Sequence, residues 1–212
     1  MLLIQHMQPA FKPDAIYHIY THANGNESLF RTAENYNYFL QRYGYHIYPI
    51  AETYAYCLMP NHIHLMIGIR SKDEVLKYIC NKKEPPLAFH EFETIGGFSK
   101  IISRQFSHLF NGYTQAFNKR YGRKGSLFMP NFKRKLVVND LYFSRLIAYI
   151  HNNPVHHGFV RDLFDWPHSS IHAYLHEKST KLNRKFLEAW FGDKAALLEF
   201  HHSLSTEKAL EF

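Results

Sequence analysis

The sequence predicts an α+β fold: an antiparallel sheet with helices packed on one face, followed by a helical C-terminal extension. Three observations carry this. Segments with the two-residue period of strands are separated by segments with the three–four spacing of helices. Up to residue 152 the order is strand, helix, strand, strand, helix, strand, helix, which begins as βαββαβ. The composition, 46% hydrophobic and 20% charged over 212 residues, suits one globular domain with an extension.

Each element has a local reason. Ala15 to His22 (AIYHIYTH) alternates and is rich in β-formers, and Asn24-Gly25 marks a turn after it. Thr32 to Gly44 predicts a helix, with Thr32 as N-cap and Gly44 as the residue just past its end. His46 to Met59 and His62 to Ile69 predict strands joined at Pro60-Asn61. Ser71 to Asn81 predicts a helix that opens on a capping box of Ser71 and Glu74. Residues 82–90, with Pro85-Pro86, predict a loop. Thr94 to about Tyr121 predicts a long helix, because apolar residues recur at three–four spacing from Ile95 to Tyr121. Phe132 to Val138 predicts the fourth strand. Asn139 or Asp140 caps a further helix to about Asn152, where Pro154 is expected to stop it. Two more helices are expected near 182–191 and 194–204. The expected division is residues 1–175 for the main domain and 176–212 for the extension.

Several classes are excluded. No apolar run approaches the roughly 20 residues that span a bilayer. The start, MLLIQHMQPAFKPD, lacks a basic segment and a long apolar stretch, so no secretory signal is expected. Cys57 and Cys80 are the two cysteines, too few for a disulfide framework or a cysteine-based zinc site. No membrane partner and a cytoplasmic setting are the expectation.

The formal charge is +7, from 25 basic and 18 acidic residues. Between Thr94 and Val138 lie Lys100, Arg104, Lys119, Arg120, Arg123, Lys124, Lys133, Arg134 and Lys135, with no Asp or Glu among them. The whole basic excess therefore comes from one stretch. It also carries eight Phe and Tyr residues whose helical spacing suits a core. Without acidic neighbours in sequence, Arg104, Lys119, Arg120, Arg123, Lys124, Lys133, Arg134 and Lys135 are the expected nucleic-acid contacts, neutralising phosphates.

Two motifs carry chemistry. In Pro60-Asn61-His62-Ile63-His64 the histidines alternate on a strand, so they share a face. Two imidazoles so placed can hold a divalent metal if a third ligand joins them. With 16 histidines in the chain, such a pair also arises by chance. In Tyr149-Ile150-His151-Asn152-Asn153-Pro154 the tyrosine and Asn153 stand one helical turn apart and share a face. A tyrosine hydroxyl has a pKa near 10. It becomes a useful nucleophile when its target phosphate is polarised and held in line.

Together these motifs resemble the single-tyrosine HUH transposase superfamily, the IS200/IS605-type transposases and more closely the REP-associated tyrosine transposases. The resemblance rests on Tyr17-His18-Ile19, the PNHIH run, Gly125-Ser126-Leu127-Phe128, the run YIHNNPVHHG from Tyr149 to Gly158, and Trp166-Pro167-His168-Ser169-Ser170. It implies a ferredoxin-like antiparallel sheet with the histidines on a central strand and the tyrosine on a helix facing them. It also implies His62, His64 and Asn153 as ligands of Mg²⁺ or Mn²⁺, and Tyr149 as the catalytic nucleophile. The implied activity is metal-dependent cleavage and joining of single-stranded DNA near hairpins or palindromic repeats, through a 5′-phosphotyrosine. A homodimer is one implied state, since IS200/IS605-type relatives work as dimers; REP-associated relatives can be monomeric. The alternatives are a non-catalytic DNA- or RNA-hairpin-binding protein and a nuclease that uses water.

Overall fold

Four strands form one antiparallel sheet in the order β2-β3-β1-β4. They are β1 (Ile16–His22), β2 (Ala51–Leu58), β3 (His62–Ile69) and β4 (Lys133–Leu136). The computed structural model describes residues 8–81, 92, 94–176 and 178–205. The loop expected around Pro85-Pro86 lies outside them.

The central strand β3 is buried along its whole length. Alternation splits it between two cores. Ile63, Leu65 and Ile67 join Tyr17 and Ile19 of β1 in one core, against α1 (Ala33–His46) and the long helix α3 (Ile95–Tyr121). Met66 joins Ala55 and Cys57 of β2 in a second core, against α4 (Asp140–His156). The α+β antiparallel architecture is the expected one, and the two long helices inside the βαββαβ unit do share a face. The helix after β4 instead closes the opposite face. A central strand apolar on both sides needs cover on both.

Local chemistry sets the helix ends. The short helix α2 (Lys72–Asn81) opens on the expected capping box: Glu74 Oε2 accepts from Ser71 N–H, and Ser71 Oγ accepts from Glu74 N–H. Thr94 Oγ1 accepts from Gly97 N–H (2.9 Å) to start α3, and Gly122 ends it in the left-handed region at φ 61°. Along α3, Phe98, Ile102, Phe106, Leu109, Tyr113 and Phe117 are buried, each worth about 2 kcal/mol against exposure.

Three boundaries differ from expectation. The helix α1 passes Gly44 and runs to His46, so β2 starts only at Ala51. A Cβ at Gly44 would come 3.3 Å from the Tyr48 ring; close packing, not a helix stop, suits glycine there. The helix α4 starts as expected, Asn139 Oδ1 accepting from Tyr142 N–H. It then continues through Pro154 to His156. Asn153 and Pro154 are both buried, so tertiary packing overrides the proline. The turn closes at Gly158 (φ 70°), with Gly158 N–H on Val155 O and Phe159 N–H on Pro154 O.

The expected Trp166–Ser170 element covers the β2 edge of the sheet. Leu58 N–H donates to His168 O, Ser170 N–H to Tyr56 O, Tyr56 N–H to Ser170 Oγ, and Trp166 Nε1–H to Leu58 O. An edge that would otherwise offer unpaired groups is thereby closed. The short helix α5 (Ile171–Leu175) follows, then α6 (Arg184–Phe191) and α7 (Lys194–Ser205), close to the two tail helices expected. Trp190 of α6 packs its ring at a tilt against Phe143 of α4 (ring centroids 4.5 Å) and donates from Nε1 to Ser144 Oγ. Among the described residues no helix is long and apolar enough to cross a membrane.

Candidate active site

His62 and His64 occupy β3, and α4 faces them across the second core. His62 Nε2 lies 2.7 Å from Asn153 Oδ1, 91 residues later in the chain. The Tyr149 ring stands edge-on to His64, with centroids 5.5 Å apart. The four residues singled out from the sequence are therefore gathered in one place.

Burial sets their ionisation. It pushes His62 down to about 4, partly offset where its ring N–H can donate to Asn153 Oδ1, and it pushes His64 well below the ordinary range, with His18 adding to the effect. Both imidazoles are neutral near pH 7, so each carries a nitrogen lone pair. Burial raises the Tyr149 hydroxyl above its ordinary value and Asn153 draws it back. The hydroxyl is protonated at neutral pH.

A neutral His62 that donates from Nδ1 to Asn61 Oδ1 (2.8 Å) turns the lone pair of Nε2 toward Asn153 Oδ1. Two acceptors then converge, while Asn153 Nδ2 is buried without a hydrogen-bond partner. A cation between the acceptors relieves this, as does turning the amide over. Among the described residues no group of three His, Cys, Asp or Glu is placed to hold a metal ion; the polar group nearest to a third donor beside His62 is the Asn153 amide. Two neutral imidazoles and an amide oxygen fit a divalent metal by their chemistry.

Further residues join the site that sequence reasoning did not assign to it. His18 Nε2 lies 2.8 Å from His64 Nδ1, the position of an outer partner that orients a ligating imidazole. Burial, and then the Lys135 charge, push His18 down to about 3. The rings of His22 and His157 flank His62 at 5.0 and 4.7 Å. The signal for His18 and His22 was present: both alternate with Tyr20 on one face of β1.

The basic residues divide. Lys133 pairs with Tyr20 and Lys135 with His18 across the β1–β4 ladder, so both lie on the histidine face. Arg134 pairs with Ile19 and lies on the other face, over the Phe11 ring (4.5 Å), donating to Pro9 O. Arg104 and Lys100 lie along α3 on that far face, beside Arg42 and His108 in a cleft shared with Arg134. Lys119 and Arg120 are exposed at the end of α3, and Lys124 is exposed in the following loop. The expectation that these cations lack acidic partners is corrected by the fold. Arg123 Nε donates to Glu27 (2.8 Å) and its other nitrogens to Asn118 Oδ1, Gly125 O and Ser126 O; Arg120 lies 3.9 Å from Glu34. Those carboxylates come from outside the basic stretch, where sequence proximity could not show them.

No family model matches the chain. A curated protein of Haemophilus influenzae, named a REP-associated tyrosine transposase, is 30% identical over 128 residues, covering 59% of this chain. The chain spans 61% of the length of that relative. A solved structure of a REP-associated tyrosine transposase bound to a REP hairpin matches with a TM-score of 0.53 at 15% identity, over 81% of this chain and 86% of the other. At that identity the likeness is one of fold. The chain is thus similar to REP-associated tyrosine transposases over part of its sequence and in its fold.

Proposed function

We propose that this protein is a single-stranded DNA nicking and joining enzyme that acts near hairpins through a covalent link to Tyr149. The observation that carries the reading is the convergence of His62, His64, Asn153 and Tyr149 from two elements distant in sequence. A binding protein has no need of this set. The structural neighbour bound to a REP hairpin supports hairpin DNA as the partner class.

His62 Nε2, His64 Nε2 and Asn153 Oδ1 are the atoms that would hold a divalent metal, Mg²⁺ or Mn²⁺, which when bound polarises the scissile phosphate. His64 would present Nε2 in the tautomer that donates from Nδ1 to His18 Nε2. Tyr149 presents its oxygen from the same helix that supplies Asn153. In the step, the Tyr149 O–P bond forms as the P–O3′ bond breaks. Tyr149 loses its proton and the departing 3′ oxygen gains one, leaving a 5′-phosphotyrosine and a 3′-hydroxyl. Attack by another 3′-hydroxyl reverses the exchange and joins a new strand. The phosphodiester energy is kept in the protein link, so no nucleotide cofactor is required. Lys133 and Lys135, on the same face, would hold the backbone of the strand.

The test is incubation with end-labelled, hairpin-forming single-stranded DNA and Mn²⁺, followed by a denaturing gel. A slow-migrating, protease-sensitive adduct is expected. Hairpin binding with no adduct and no cleavage would establish the non-catalytic reading, and cleavage without an adduct the water-using nuclease.

A further inference from the structure

The tail helices have no part in the chemistry above, yet one side chain of α7 is tied to the middle of the site helix. Ser170, His151 and His201 are fully buried, and they form an unbroken hydrogen-bonded row. His201 Nδ1 lies 2.7 Å from Leu197 O, a pure acceptor, so the proton of His201 sits on Nδ1. Its Nε2 must then accept, and His151 Nδ1–H donates to it at 2.7 Å. His151 Nε2 in turn accepts from the Ser170 hydroxyl (2.7 Å), whose oxygen accepts from Tyr56 N–H of β2 (2.8 Å). With both imidazoles neutral, one arrangement of protons satisfies every atom in the row.

We propose that His201 is a positioning residue for the candidate site: acting through His151, it fixes the rotation of α4 so that Tyr149 and Asn153 stay turned toward β3. The inference rests on the reading of Tyr149 and Asn153 given above. His151 stands midway between them in sequence. At about 100° per residue it projects from the back of the helix, roughly 200° from each. An anchor there resists the rotation that would carry both away from His64 and His62. A turn of about 20° moves atoms at the helix surface, about 5–6 Å from the axis, by roughly 2 Å. That would part the 2.7 Å contact between His62 and Asn153. Misplacement by about 1 Å can cost a reaction roughly a hundredfold. Two apolar side chains would fill the same space without direction, whereas a satisfied polar row specifies one register.

The test compares full-length His201→Phe, His201→Gln and Leu187→Ala. Phe keeps much of the ring volume and removes the acceptor. Gln places an amide oxygen where His151 Nδ1–H can donate. Leu187 is buried in α6 among the tail helices, outside the row, and reports loss of stability alone. Single-turnover adduct formation is measured with saturating hairpin DNA and Mn²⁺, beside the hairpin Kd and the melting temperature. The expected result is a rate at least tenfold lower in His201→Phe with Kd changed less than twofold. His201→Gln should return to within about threefold of the parent, and Leu187→Ala should melt earlier at an unchanged rate. A folded His201→Phe that reacts at the parent rate overturns the proposal, as does a Leu187→Ala rate that falls in step with stability. If His201→Phe does not fold, His151→Phe removes the other partner of the same hydrogen bond, and an undiminished rate there overturns it equally. If the parent itself forms no adduct, the catalytic reading fails. The positioning claim is then decided by imidazole ¹⁵N shifts: displacement of the His62 signals in His201→Phe but not in His201→Gln supports it, and unmoved signals overturn it.

Discussion

Tyr149 has a close rival in Tyr142, two turns earlier on the same helix and on nearly the same face. The structure separates them. Asn153 is docked on His62, which brings the C-terminal end of α4, and with it Tyr149, to the histidines; Tyr142 remains roughly 10 Å further along the axis at about 1.5 Å per residue. Tyr149→Phe removes one oxygen from a half-buried ring, so stability should change by less than about 1 kcal/mol while the adduct disappears. Peptide mapping of a trapped adduct checks this; DNA on a peptide containing Tyr142 or Tyr113 refutes the assignment. Each of His62→Ala and His64→Ala should lose Mn²⁺-dependent cleavage and weaken Mn²⁺ binding by at least tenfold in calorimetry, with hairpin binding largely retained. Undiminished cleavage in both would remove the metal from the reading.

At the scale of elements, the basic residues that look alike in sequence should behave differently. Lys133 and Lys135 lie on the histidine face of β4, where, under the proposed function, a strand of DNA would pass to reach Tyr149. Replacing either with Gln should flatten the log–log salt dependence of binding by up to about 0.7 per contact, with little effect on folding. Arg123 is held by Glu27, Asn118, Gly125 and Ser126. Arg123→Ala should therefore leave the salt slope nearly unchanged and lower stability, because four contacts of one side chain are lost together. Salt titrations of binding beside urea unfolding distinguish the two. A large slope change for Arg123 and none for Lys133 or Lys135 would mean that the DNA runs over the α3 end of the molecule instead.

For the molecule as a whole, the second core is closed by the tail, and the buried histidines make that closure sensitive to acid. His201 faces His151 of α4 and has His202 beside it on its own helix; burial pushes it from the ordinary 6.5 down to about 4. The unfolded chain binds the proton more readily, so stability is fully present above about 6.5 and is lost as pH falls through the window to about 4. For His201 alone the difference is at most about 3 kcal/mol. Urea unfolding at pH 7, 5.5 and 4.5 should show the parent losing stability steeply and His201→Gln losing less; parallel losses would show that other groups control acid unfolding.

The sequence by itself determined the element order, the capping box at Ser71 and the start of α4 at Asn139 or Asp140, and it singled out the residues of the candidate site, because each has a local signature. Alternation placed His62 and His64 on one face; the turn of a helix placed Tyr149 beside Asn153. Sequence did not show that α4 would cross to the opposite face of the sheet, run through Pro154 and meet the histidines there. It did not show His18 behind His64, Glu27 under Arg123, or His201 against His151. Those pairings join residues 46 to 96 positions apart. They exist because a central strand apolar on both faces must be covered twice, and the cover decides which distant side chains come within hydrogen-bonding distance.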